Sequence, residues 1–493
     1  MYQGPACLSN IRGLASVPAV HALAVSLVLW LAIFVYCNWT LWREPHGAYF
    51  HSDHAYDLDY SLLRQQEARA FLQQYSNASS ASTGQTPSPP QRVGEHPVLC
   101  AALTTIRRTH PDAAHYFSDS VGSMLAGLSP RERAAVNITV LFANADGPTL
   151  HPDFGAPWLS ALVDHAAGYE GMSAAQLAEL RRQEETEDFQ SKGVYDYTYA
   201  LEKCYRETRA PFIAVFEDDI IFSADWLART LLGLQHLATA PADKRPQWLY
   251  LRLFYSETYL VWDAETDWWY GHIFTTFALA SLSSAVLLLL LRQGLRLCGT
   301  GTGAASYQPV NKRNGFLVRL RLRLDLPTIA VLSLIVVPAF TALTFMAGKY
   351  SLPMYSLRGS NSMVGSILDK QDGAHRDAGV LPMDKHGCCS QALVFDRARV
   401  PELIAYLRGV GRGQTDMMIE DYCDQTHLRR FALGEQVVQH VGVISSRGGG
   451  GVHGPSVWAF HFEEGRQAEV EKKKQKALQN LNWELLESLQ AGG

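Results

Sequence analysis

The chain has 493 residues, 47% of them hydrophobic and 18% charged, which is enough for one large or two ordinary domains together with a few apolar spans. That hydrophobic content excludes a disordered chain. The formal net charge of −5, with no basic stripe outside one short loop, excludes a nucleic-acid partner.

In chain order, residues 1–16 read as a cytosolic tail and 17–37 as the first of three apolar stretches; the others are 272–291 and 327–347. Each reaches the length of about 20 residues that a membrane helix requires. None contains Asp, Glu, Lys or Arg, and interface aromatics flank them: Trp39 and Trp42, then Trp268, Trp269 and Tyr270, then Tyr350. The first lacks a strong basic leader and a small-residue cleavage site, so it reads as an uncleaved signal anchor. Between the second and third, segment 292–326 carries Arg292, Arg296, Lys312, Arg313, Arg319, Arg321 and Arg323 against a single Asp325. The positive-inside rule puts that loop in the cytosol and therefore puts 38–271 and 348–493 together on the lumenal side.

Residues 38–97 read as a stem ending in a Ser/Thr/Pro-rich linker from Asn77 onward. Beyond it apolar strands alternate with helices: strands at 98–104, 138–143 and 212–216, and helices at 120–128, 173–189 and 197–206. Further strands are expected at 248–254 and 392–395, with a helix at 401–408. The alternation predicts an α/β sheet of mostly parallel order, built from two halves, 98–271 and 348–462. The charged segment 463–493 reads as a terminal amphipathic helix.

Five cysteines fall in the lumenal parts: Cys100, Cys204, Cys388, Cys389 and Cys423. A secretory compartment permits disulfides there. Cys388 or Cys389 is expected to pair with Cys100, Cys204 or Cys423, a vicinal bridge being the alternative. Asn77 and Asn137 begin N-glycosylation sequons.

The sharpest chemical signal is the run Phe212-Ile-Ala-Val-Phe-Glu-Asp-Asp-Ile-Ile-Phe222, in which a buried strand delivers Glu217, Asp218 and Asp219 to its C-terminal edge. Ligands bind at that edge in open α/β sheets. Carboxylate oxygens suit Mn²⁺ or Mg²⁺ shared with substrate phosphates, and three acids between aliphatic runs call for a cation. Arg107 and Arg108 end the first strand at the same edge and are candidates for uracil or phosphate, or else a solvated pair. The glycine run 448–451 lacks the setting and the Lys of a P-loop.

The Glu217-Asp218-Asp219 triplet resembles the DxD-type motif of GT-A glycosyltransferases. Together with the two apolar spans that split the catalytic region, it resembles the Golgi N-acetylgalactosaminyltransferase family that decorates the mannose core of GPI anchors. The resemblance implies a GT-A-like domain interrupted by a transmembrane hairpin, in a multi-pass Golgi membrane protein. It implies Mn²⁺ or Mg²⁺ on Asp219, with Glu217 and Asp218 on the ribose or sugar of UDP-GalNAc. His440, in Gln-His-Val-Gly, matches the late histidine that such enzymes return to the metal or diphosphate. GPI-anchored proteins are the implied acceptors.

The same resemblance implies inversion at the anomeric carbon, which requires a general base on the face opposite UDP. Thr415-Asp-Met-Met-Ile-Glu-Asp-Tyr422 supplies Asp416, Glu420 and Asp421, with Asp416 serving either as base or as helix N-cap. N-glycan-branching N-acetylglucosaminyltransferases share the triplet and the Gln-His-Val-Gly segment but have one span. A non-catalytic membrane subunit is the reading from a different class.

Overall fold

The computed structural model describes residues 17–76, 97–239, 247–260, 262, 264–298, 324–352, 379–444 and 457–489. The Asn77 sequon, most of the basic loop and the glycine run lie outside the described residues. The chain folds as two compact units, Met1–Ala55 with Glu265–Ser356 and Tyr56–Ala264 with Leu357–Gly493.

The first unit holds three helices long and apolar enough to cross a membrane, Pro18–Thr40, Ile273–Leu295 and Leu326–Ala347. The third contains a π-helical turn at Leu332–Val336, just before Pro338. Trp30 of the first helix donates its indole N–H to Ala339 O of the third at 3.0 Å.

The second unit is a mixed α/β fold on an eight-stranded sheet of order β3-β2-β1-β4-β8-β6-β9-β7. The strands are β1 Leu99–Thr105, β2 Val136–Phe142, β3 His165–Ala167, β4 Phe212–Glu217, β6 Trp248–Arg252, β7 Val380–Met383, β8 Ala392–Asp396 and β9 Arg429–Leu433. β5 Ile220–Phe222 and β10 Val438–His440 form a separate antiparallel pair. β1, β2, β3, β4, β6 and β9 run one way, while β8 and β7 run against their neighbours. The mostly parallel order follows the expectation. β3, β5, β7, β9 and β10 are too short or too polar to stand out in the sequence.

β4 pairs with β8, so chain from both sides of the apolar segment 265–356 builds one sheet. Alternation within β1 sends Leu99, Ala101 and Leu103 into the main core, where Tyr116, Phe117, Trp226 and Leu231 also lie. Cys100 points to the opposite face and bonds Cys204 of helix Phe189–Glu207. Cys388 bonds Cys389, which corrects the pairing expected for these two with Cys100, Cys204 or Cys423. Cys423 remains a buried free thiol, its pKa pushed up to about 12 by burial first of all.

Two expectations about the periphery change. Helix Tyr60–Ser76, expected in the stem, joins the core: buried Arg64 donates to Phe222 O at 2.9 Å and to Ser123 O at 2.7 Å. The charged terminal segment forms two helices, Gln467–Asn480 and Trp483–Ser488, that place Val470 and Leu486 in the same core. Its apolar stripe faces the protein, as the sequence pattern requires, while Lys474 is buried with Nζ 3.2 Å from Glu132 Oε2.

Candidate functional site

The acid triplet sits where the sequence predicts it, at the C-terminal end of β4 and before β5. The β5–β10 register sets His440 opposite Ile220, one residue beyond Asp219. Val441 N then donates to Asp219 O at 2.9 Å, and His440 Nε2 lies 3.7 Å from Asp219 Oδ2. A six-residue strand and a three-residue pair thus bring together positions 219 and 440 of the chain.

Arg108 is buried against both aspartates. It contacts Asp218 Oδ1 through Nη2 and reaches Asp218 Oδ2 at 3.4 Å, Asp219 Oδ2 at 3.1 Å and Ile444 O at 3.2 Å. Its guanidinium also lies 5.0 Å from the Tyr116 ring centroid. Burial disfavours the Arg108 cation, but Asp218 and Asp219 outweigh it and raise its pKa. Burial likewise disfavours the Asp219 carboxylate, and His440 with Arg108 outweighs it, holding the Asp219 pKa well below the usual range. Burial pushes the Asp218 carboxyl up, against the pull of Arg108. Asp219 in turn raises the His440 pKa, despite burial. Arg107, by contrast, is exposed, and its backbone N–H donates to Asn144 Oδ1 at 3.0 Å.

Asp218 has a second support that the sequence does not reveal. Thr105 Oγ1 donates to Asp218 Oδ2 at 2.7 Å, which leaves it to accept from His151 Nε2 at 3.1 Å. Asp153 N donates to His151 Nδ1 at 3.2 Å, so this bond pattern assigns the neutral Nε2–H tautomer. Burial and then the nearby Arg108 charge push the His151 pKa down to about 4, consistent with that form. An unfolded histidine takes up its proton near 6.5, whereas the folded one resists until about 4. The unfolded state therefore binds more protons between those values, and this contribution to stability is full above about 6.5 and lost as pH falls toward 4. We expect His151→Gln to flatten the decline of melting temperature over that range; an unaltered slope would contradict the relay.

Gly442 has a steric reason. A Cβ built there overlaps Asp219 Oδ2 and lies 2.7 Å from His440 Nε2. Gly442→Ala should reduce turnover by about 10²-fold through displacement of the pair, read as kcat/KM in a folded variant. Glu217 sits at the rim of the group, with Ser390 Oγ donating to its Oε1 at 3.0 Å.

The three candidate bases separate. Glu420 is buried, accepting from Arg252 Nη2 at 2.6 Å and Tyr250 OH at 2.7 Å, and its Oε2 lies 2.7 Å from Arg430 Nε as an ion pair outside hydrogen-bond angles. Those partners come from β6 and β9, and the cluster is structural. Glu420→Gln should cost about 3–5 kcal/mol by stranding two buried guanidiniums, a loss that thermal melts detect. Asp421 is exposed. Asp416 is half-buried in the first turn of helix Thr415–Thr426, accepting from Met417 N at 2.9 Å. Gln414 is the N-cap residue and makes no side-chain cap, which corrects the reading of Asp416 as the cap.

A divalent cation fits this site through Asp219 and His440. Asp219 Oδ1 is buried and accepts no hydrogen bond among the described residues. A carboxylate and an imidazole suit Mn²⁺. No third His, Cys, Asp or Glu ligand atom joins them within 4.8 Å among the described residues, so substrate oxygens and water would complete the shell.

Residues 99–299 match the family model described as GPI-N-acetylgalactosamine transferase PGAP4. Over that stretch the chain is similar to the PGAP4 family. This is a glycosyltransferase family, and the matched stretch runs from β1 through the acid triplet and β6 into the apolar helix after it. Arg108, Asp218 and Asp219 fall inside the PGAP4 match; Asp416 and His440 lie beyond it. The comparison with curated proteins found no match.

Proposed function

We propose that the chain is a metal-dependent, inverting glycosyltransferase of GT-A type that transfers N-acetylgalactosamine from UDP-GalNAc to a mannose of the GPI glycan on GPI-anchored proteins. The observation that carries this reading is the juxtaposition of Asp219, His440 and Arg108 at the C-terminal edge of β4, with Arg108 and Asp219 inside the stretch that matches the PGAP4 model. Arg108 supplies a fixed positive charge beside the acids, and Asp219 with His440 offers the ligand set for the cation. When bound, that cation would neutralise charge on the departing diphosphate. Asp416 is our choice of base, because Glu420 is committed to arginines. Asp416 takes the proton of the acceptor hydroxyl; the oxygen bonds the anomeric carbon on the face opposite UDP; and the bond to UDP breaks, its electron pair leaving on the phosphate.

Topology supports a membrane setting for this chemistry. β4 and β8 share a sheet, so the segment between them must cross a bilayer an even number of times, which two apolar helices satisfy. Those halves would be lumenal and the membrane that of the Golgi, with the basic loop in the cytosol. The test is the mass of GPI glycans in cells lacking the protein and re-expressing wild type or Asp219→Ala. Return of one N-acetylhexosamine with wild type alone is expected. An unchanged glycan in every line would move the activity to N-glycan branching or to a non-catalytic role.

A further inference from the structure

The Cys388–Cys389 disulfide takes no part in the chemistry above, yet it lies beside Asp416, one of the groups that carry it. Its two sulfurs and a carboxylate oxygen of Asp416 lie within 4.8 Å of one another. Both sulfurs are bonded, so the group offers no thiolate to a metal. Cys389 is buried while Cys388 and Asp416 are half-buried, so the cluster is covered on one side and open on the other.

The turn is pinned at both ends. Fully buried Arg252 donates to Cys389 O, and to Gly387 O at 3.1 Å, and is itself held by Glu420. The next two residues reach the acid triplet: Ser390 Oγ donates to Glu217 Oε1 at 3.0 Å, and Glu217 N donates to Gln391 O at 3.1 Å. Segment 387–391 therefore joins the first acid of the triplet to Asp416.

A disulfide with its methylenes is an apolar, polarisable surface without a strong hydrogen-bond donor. A carboxylate beside it has one dry flank and one flank for a polar partner. A hexose has the matching shape, with a C–H face and a rim of hydroxyls. We propose that the Cys388–Cys389 disulfide is the apolar floor of the acceptor-sugar subsite, on which a hexose lays its C–H face while one hydroxyl meets Asp416. This rests on the transferase reading, with Asp416 as base. The disulfide is a positioning element; no bond in it changes during transfer.

The experiment compares wild type, C388S/C389S, and wild type treated with dithiothreitol, which passes two electrons and two protons to the disulfide and closes to its own cyclic disulfide. Cys100 and Cys204 are fully buried, and mass spectrometry of alkylated peptides checks that their bridge stays closed. We expect the KM for a mannose-terminated acceptor to rise about 10-fold in both altered forms, with the KM for UDP-GalNAc and slow donor hydrolysis unchanged. An unchanged acceptor KM in both forms overturns the subsite; if C388S/C389S does not fold, the reduced wild type decides. Asp416→Asn, run in parallel, should lower kcat and keep acceptor KM. Should it transfer at the wild-type rate while the disulfide forms still lose acceptor affinity, the base assignment falls and the subsite stands. Saturation-transfer NMR of the same acceptor reads the subsite without turnover: binding that weakens on reduction supports it even without transfer, and binding indifferent to reduction overturns it.

Discussion

Asp219→Ala should abolish transfer, by on the order of 10³-fold or more, in a protein that still folds. The carboxylate has a buried oxygen that no hydrogen bond satisfies among the described residues, and its other oxygen faces His440 and Arg108. Losing it removes an acid whose charge His440 and Arg108 hold in place despite burial. Mn²⁺ binding, followed by electron paramagnetic resonance in the presence of UDP, should disappear with activity. A variant that retains Mn²⁺ binding but loses turnover would put the metal elsewhere. His440→Ala should weaken the same signal to a smaller degree, because it removes a neutral ligand and not a charge.

Arg108→Ala should have the second largest effect, and on stability as well as rate. Its side chain is 8% exposed and faces two carboxylates, so truncation leaves like charges buried together with His440, beside Asp219, in place of the guanidinium. Breaking a buried ion pair by removing one partner costs about 3–5 kcal/mol. Adding Asp218→Asn should return part of that stability without returning activity, since it removes one of the stranded charges. Thermal melts and transfer rates on the single and double variants separate the two effects. Equal melting temperatures for wild type and Arg108→Ala would show that Arg108 does not neutralise the acids.

Some of this is legible in the sequence. The three apolar helices, the main strands and the acid triplet depend on local pattern: long uncharged runs, alternation, and acids at a strand end. Helix Tyr60–Ser76 reads as stem because its outer face is polar, while its inward contacts, Arg64 and Ser61 among them, are satisfied by distant partners such as Phe222 and Glu463. Glu420 shows the same limit within the site. Helical spacing puts it on the face of Asp416, but the arginines that bury it come from β6 and β9, and no local spacing announces them. Thr105 and His151 escape notice since each looks ordinary alone; only β1 pairing and the loop after β2 set them in line with Asp218. Gly442 does leave a trace in Gln-His-Val-Gly, yet its meaning depends on what a Cβ would strike. The Cys388–Cys389 bridge ranks second in the sequence, because sequence separation says nothing about the distance between cysteines far apart in the chain.

The reaction itself is tested most directly with purified protein in detergent, a mannose-terminated GPI glycan and either UDP-GalNAc or UDP-GlcNAc. One β-linked N-acetylgalactosamine on the product is expected by NMR, made by wild type, stopped by EDTA, restored by Mn²⁺ and absent with Asp219→Ala. Transfer of N-acetylglucosamine in preference, or transfer that persists in Asp219→Ala, would contradict a metal-dependent N-acetylgalactosamine transferase centred on Asp219.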